Sequence, residues 1–121
     1  MEKARTDAGE YPKLVRDLIP ENLAARGIAT VTRDITEPDE RLHYLTRKLM
    51  EEAHELHNAE SDTQMQEELA DVMEALDGIL NLKAFSLRDI MDIKASKRVV
   101  KGAFNEGILM LQEPKDPTAK G

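Results

Sequence analysis

Glu52 and Glu55 stand three residues apart in this chain, and Glu68 and Asp71 repeat that spacing. On a helix, side chains at this interval share a face, so two adjacent helices marked this way bring four carboxylates together. The stretch that holds them, Lys48 to Asp71, contains eight acidic residues and one lysine. A single pair of this kind ordinarily marks a solvated face. Two pairs raise a second meaning, because Glu52 has the helical phase of a core position while Glu51 points to the far side, where a solvated glutamate belongs. Glu68 borders the apolar stripe of the following segment. Asp71 lies further round, on a flank that Ala75 and Leu82 extend. Like charges held that closely repel, and burying them unpaired costs several kcal/mol per ion. A hard divalent cation removes the conflict, and an all-oxygen ligand set suits Mg²⁺ or Mn²⁺. A solvated acidic surface and a metal site both remain open at this point.

A basic stripe adds a second kind of chemistry. Leu87, Ile90 and Met91 begin an apolar face that continues, at helical spacing, as Lys94, Arg98 and Lys101. Cations on the inward side of a helix beside clustered carboxylates suit a polyphosphate bridging to a metal. The same cations also suit a helix C-terminus through the macrodipole.

The elements that must position these residues are helices. "IPENLAARG" reads as a short one, with Pro20 at a first-turn position and Gly27 as its stop. "IATVTRDI" follows as an extended connector or short edge strand. From Pro38, Leu42, Leu45, Leu49, Ala53 and Leu56 recur at three- and four-residue steps, with Thr36 or Asp39 available as cap. Ser61 and Gln64 form a capping box for the next helix, whose inward stripe is Met65, Leu69, Val72, Met73, Leu76, Ile79 and Leu80. Ser86 and Asp89 form another box for a third long helix, which stops near Gly102. The expected fold is all-α: an antiparallel bundle of three long helices plus a short N-terminal one. Its stripes are too wide for one protomer to cover, so a homodimer or homotetramer is expected. Residues 1–10 and the tail 113–121 read as disordered flanks of a single domain at 11–112.

Composition narrows the function. The 121 residues carry a net charge of −7, which argues against a nucleic-acid polymer or an anionic membrane as partner. There are no cysteines, so thiolate and disulfide chemistry are excluded. The N-terminus has no signal-peptide pattern and no apolar run approaches membrane-spanning length, so a cytoplasmic location is expected. Aromatic residues make up 3% of the chain, which leaves an aliphatic core and few rings to stack on a base. Asn81 and Asn105 carry amides able to hydrogen-bond a base edge.

"KLMEEAHELHNAESDTQMQEELADVMEALDGIL" resembles the MazG-like branch of the all-α nucleoside triphosphate pyrophosphohydrolases. That superfamily also holds dimeric dUTPases and phosphoribosyl-ATP pyrophosphohydrolase. Its E-x-x-E, spacer, E-x-x-D signature is matched by Glu52, Glu55, Glu68 and Asp71. "YPKLVRDLIPENLAARG" and "KRVVKGAFNEGILML" are similar to the flanks of one small-protein subgroup, so the resemblance spans residues 11 to 111. Ala103 departs from it, standing where relatives often carry a second glycine. The resemblance implies a Mg²⁺ site on the four acids, with Mn²⁺ as substitute. It implies phosphate contacts from Lys94 and Arg98, with Lys101 on the same face, and catalytic roles for Glu52, Glu55, Lys94 and Arg98. The implied reaction is hydrolysis of a nucleoside triphosphate between its α and β phosphates. Lys13, Arg16 and Asp17 belong to a recurrent motif that assigns them no role; such a segment also serves to lock an N-terminal strand to a bundle. Alternatives are phosphoribosyl-ATP as substrate, a non-catalytic acidic adaptor, and a di-iron bundle built on Glu51 and His54. The last lacks the second E-x-x-H unit that di-iron sites use.

Overall fold

The computed structural model describes residues 11–118; the expected disorder of residues 1–10 and of 119–121 lies outside them. Four helices and no strand occur among the described residues: α1 (Ile19–Ala24), α2 (Pro38–His57), α3 (Asp62–Lys83) and α4 (Leu87–Lys101). The chain divides between Ser86 and Leu87 into two compact units, the first holding α1 to α3 and the second α4. No helix of the described residues is long and apolar enough to cross a membrane.

Local sequence accounts for most helix ends. Pro20 sits in the first turn of α1, where its missing N–H forfeits no intrahelical bond, and Gly27 follows with φ +79°. Residues 28–37 form a connector with no regular structure, tied to α2 by a two-pronged Arg33–Glu40 pair at 2.6 and 3.2 Å. Neither Thr36 nor Asp39 caps α2. Its N-cap is Glu37, without a side-chain bond, and Pro38 opens the helix instead. Ser61 does cap α3, accepting from the Gln64 N–H at 3.1 Å. Gln64 bonds back to the Glu60 N–H at 3.0 Å, one residue earlier than the standard box. α3 closes on Ala84 in the left-handed region, and α4 ends where Gly102 takes φ +82°.

α2 and α3 pack against each other as an antiparallel hairpin. Leu45 lies against Gly78, where an added Cβ would come within 2.7 Å of Leu45 Cδ2. Two turns further along α2 and two turns back along α3, Glu52 meets Asp71. The α3 face at this seam therefore carries Glu68, Asp71, Ala75, Gly78 and Leu82. Part of the apolar stripe expected to face inward is turned away: Met65, Leu69, Met73 and Leu76 are 42–64% exposed, while Val72, Ile79 and Leu80 of the same stripe are half-buried. Small side chains explain the choice. Ala75 and Gly78 let the backbones approach in a way that methionine and leucine do not. Ala75, at 5% exposure, is the only buried apolar side chain among the described residues, beside buried Glu55 and Glu68.

Candidate metal centre

The seam of the hairpin positions the acids. Glu52, from α2, and Glu68 and Asp71, from α3, each direct a carboxylate oxygen into one group whose atoms all lie within 4.8 Å of one another. One oxygen of Glu52, Oε1, is buried there and takes no hydrogen bond. The Glu52 carboxyl is pushed up to about 7, chiefly by burial and next by the charge of Asp71; Glu68 contributes charge and a shared hydrogen bond, and Lys48 offsets part of the rise. A carboxyl driven toward its protonated form by burial and by two neighbouring like charges is a site short of positive charge.

Glu55 was expected as a fourth member. It is buried at 4% exposure one turn along α2, outside the group of three. Glu51, expected to point into solvent, instead folds back on Lys48 at 3.1 Å with 9% of its side chain exposed. His54 is exposed and its Nε2 lies 3.1 Å from the Asn58 side-chain nitrogen. Thus neither half of the E-x-x-H pair enters the acidic group.

Arg16 is the residue that sequence reasoning left without a role. Its guanidinium donates to Asp71 Oδ1 at 2.7 Å across 55 positions of sequence. That contact locks the N-terminal segment to α3 and places a cation at the edge of the acidic group. The only advance signal was the short motif Lys13–Asp17. Lys13 itself stands over the Tyr11 ring at 5.3 Å.

A cleft of about 470 Å³ opens from the acidic group along the hairpin, walled by the N-terminal segment at Leu14 to Asp17, α2 and α3. Its α2 wall presents Glu52, Lys48, Leu45 and Arg41 in successive turns. All of these residues belong to the first unit.

Lys94, Arg98 and Lys101 are exposed on α4, in the second unit. Lys94 and Arg98 line one hollow with Met91, Ala95 and Val99. Leu87, Ile90 and Met91, which start that face, are 39–58% exposed.

No family model, curated protein or solved structure matches this chain. The chemistry of the centre therefore rests on its own donor set. Three carboxylates from two helices, with no histidine among them, suit a hard oxygen-seeking cation such as Mg²⁺ or Mn²⁺. The buried Glu52 Oε1, which takes no hydrogen bond, fits such an ion.

Proposed function

We propose that this protein is a divalent-cation-dependent nucleoside triphosphate pyrophosphohydrolase, cleaving between the α and β phosphates to release a monophosphate and pyrophosphate. The observation that carries the reading is the convergence of Glu52, Glu68 and Asp71 within 4.8 Å, with Glu52 and Asp71 lining one end of a cleft. The resemblance of the acidic signature and its two flanks to the MazG-like enzymes supplies the reaction class.

Glu52, Glu68 and Asp71 would hold Mg²⁺, with Mn²⁺ as substitute. When bound, the ion neutralises phosphate oxygens and lowers the pKa of an attacking water. Glu55, one turn away and outside the three, is assigned the acceptance of that water's proton. Lys94 and Arg98 are assigned to the leaving pyrophosphate by the resemblance alone, where charge develops as the bond breaks. The reading includes self-association, supported by the exposed Met65, Leu69, Met73 and Leu76 along one side of α3.

The test is pyrophosphate release from a panel of triphosphates and phosphoribosyl-ATP, with Mg²⁺ and with EDTA. Wild type should release pyrophosphate only with the cation, and Asp71→Asn should lose at least ~10²-fold in kcat/KM, as removal of an electrostatic contact to the reacting centre does. Full activity of Asp71→Asn, or turnover in EDTA, would discard the metal assignment.

A further inference from the structure

The cleft changes chemistry along its length in a definite order. At one end stand Glu52 and Asp71. One turn back along α2 comes Lys48, then Leu45, whose side chain lies against Gly78. Leu14 and Ala75 join Leu45 and Gly78 as the apolar part of this middle section, with the Glu74 carboxylate beside them on the α3 wall. The far end is formed by Arg41 and Asn81. Between Glu52 and Arg41 the helix advances about 16 Å at 1.5 Å per residue, comparable to an extended nucleotide.

The three cations lining this cleft are not equivalent. Arg16 is held by Asp71 at 2.7 Å and Lys48 by Glu51 at 3.1 Å. The Arg41 guanidinium makes no ion pair among the described residues. Its nearest sequence neighbour acid, Glu40, is engaged instead by Arg33. Arg41 thus keeps its full fork of donors at the end of a groove whose other end collects carboxylates.

We propose that the Arg41–Asn81 end of this cleft seats the nucleobase and selects keto bases over amino bases. This rests on the nucleotide reading above and extends it to substrate direction and class. A nucleotide laid in the groove with its phosphates toward Glu52 and Asp71 passes Lys48, sets the faces of its sugar and base on the Leu14, Leu45 and Ala75 surface, and brings its base edge to Arg41. A guanidinium only donates hydrogen bonds. Guanine, hypoxanthine, uracil and thymine present it with a carbonyl acceptor. Adenine and cytosine present an exocyclic amine at the corresponding position, which leaves donor facing donor. Asn81, able to donate and accept, completes the pairing with the adjoining ring position.

The probes are nucleoside 5′-monophosphates titrated calorimetrically with Mg²⁺ present: GMP against AMP, and UMP against CMP. The keto member of each pair should bind at least about tenfold more tightly, the lower range for a donor–acceptor match at a base edge. Arg41→Ala should abolish the preference. Arg41→Lys, which keeps the charge but not the planar fork, should lose most of it. Helicity measured on the same samples confirms that the exposed substitution leaves α2 folded. Equal binding of keto and amino bases by wild type, or a preference that survives in Arg41→Ala, overturns the proposal. The two readings fail separately. Selective binding of GMP and UMP without any triphosphate turnover retains the base seat and removes the hydrolase. Turnover of all triphosphates alike retains the hydrolase and removes the base seat.

Discussion

Glu52 concentrates the electrostatics of this molecule, because it is an acid that the fold drives toward neutrality. Its carboxyl has an ordinary value of 4.5 and is pushed to about 7 by burial and by Asp71. Below 4.5 it is protonated in both folded and unfolded states and favours neither. As pH rises toward 7 the unfolded chain releases a proton that the folded chain retains, so this carboxyl takes stability away across that window. Above 7 the full loss is in place. Metal-free wild type should therefore lose thermal stability from pH 4.5 to 7. Glu52→Gln should flatten that dependence and melt higher than wild type at pH 8. Denaturation scans in EDTA at several pH values measure it; parallel curves for the two proteins would mean that the acidic group is relaxed and solvated. Arg98 belongs to the same scale. If its charge is used on a leaving pyrophosphate, Arg98→Ala should lower kcat as well as substrate affinity, by at least ~10²-fold in kcat/KM. Mn²⁺ affinity without nucleotide should hold, since arginine is not a ligand. A change confined to under ~1 kcal/mol of stability would assign Arg98 to the helix end.

At the scale of elements, α3 ends in a way its sequence does not favour. Ala84 takes φ 57°, and the Phe85 N–H bonds to the Leu80 carbonyl at 3.0 Å, the long-range bond of a left-handed helix terminus. An L-residue with a Cβ is strained there, whereas glycine is not. Ala84→Gly should stabilise the protein by roughly 1 kcal/mol, seen as a rise of a few degrees in Tm. A lower Tm would show that flexibility gained in the unfolded chain outweighs the relieved strain. The opposite situation holds inside α3. Gly78 lowers helix propensity by ~1 kcal/mol relative to alanine, yet it lets Leu45 lie against the α3 backbone. That contact forms the middle of the cleft, two turns from the carboxylate group at its end, so the close approach sets the spacing of both.

On the scale of the whole molecule, the hairpin leaves several large apolar side chains uncovered within the described residues, Met50, Met65, Leu69, Met73 and Leu76. Leu69 is 46% exposed and Met73 64%, on a face of α3 away from α2. If a second copy covers this face, Leu69→Glu should weaken association and reduce the mass measured by light scattering toward 13.6 kDa. A wild type already at that mass would remove self-association from the functional reading.

The helices were legible because their signals are local. Ser61 three residues before Gln64, Pro20 before a short amphipathic run and glycines at 27 and 102 specify ends through bonds and dihedral angles within a few residues. The sharing of a face by Glu68 and Asp71 was legible for the same reason, since helical phase needs only the count between them. What the count does not fix is which face meets which neighbour. α3 carries two stripes at core spacing, one through Met65, Leu69 and Leu76 and one through Glu68, Ala75 and Gly78. Hydrophobicity favours the first, while the tertiary structure packs the second on α2, because small side chains permit the closer approach. That choice draws Glu52 and Asp71 together and leaves Glu55 to one side. It also decides the position of Arg16, whose partner lies 55 residues away and has no periodic relation to it. Local bonding was written in the sequence; the choice of partner face depended on shapes that meet only after the chain has turned back on itself.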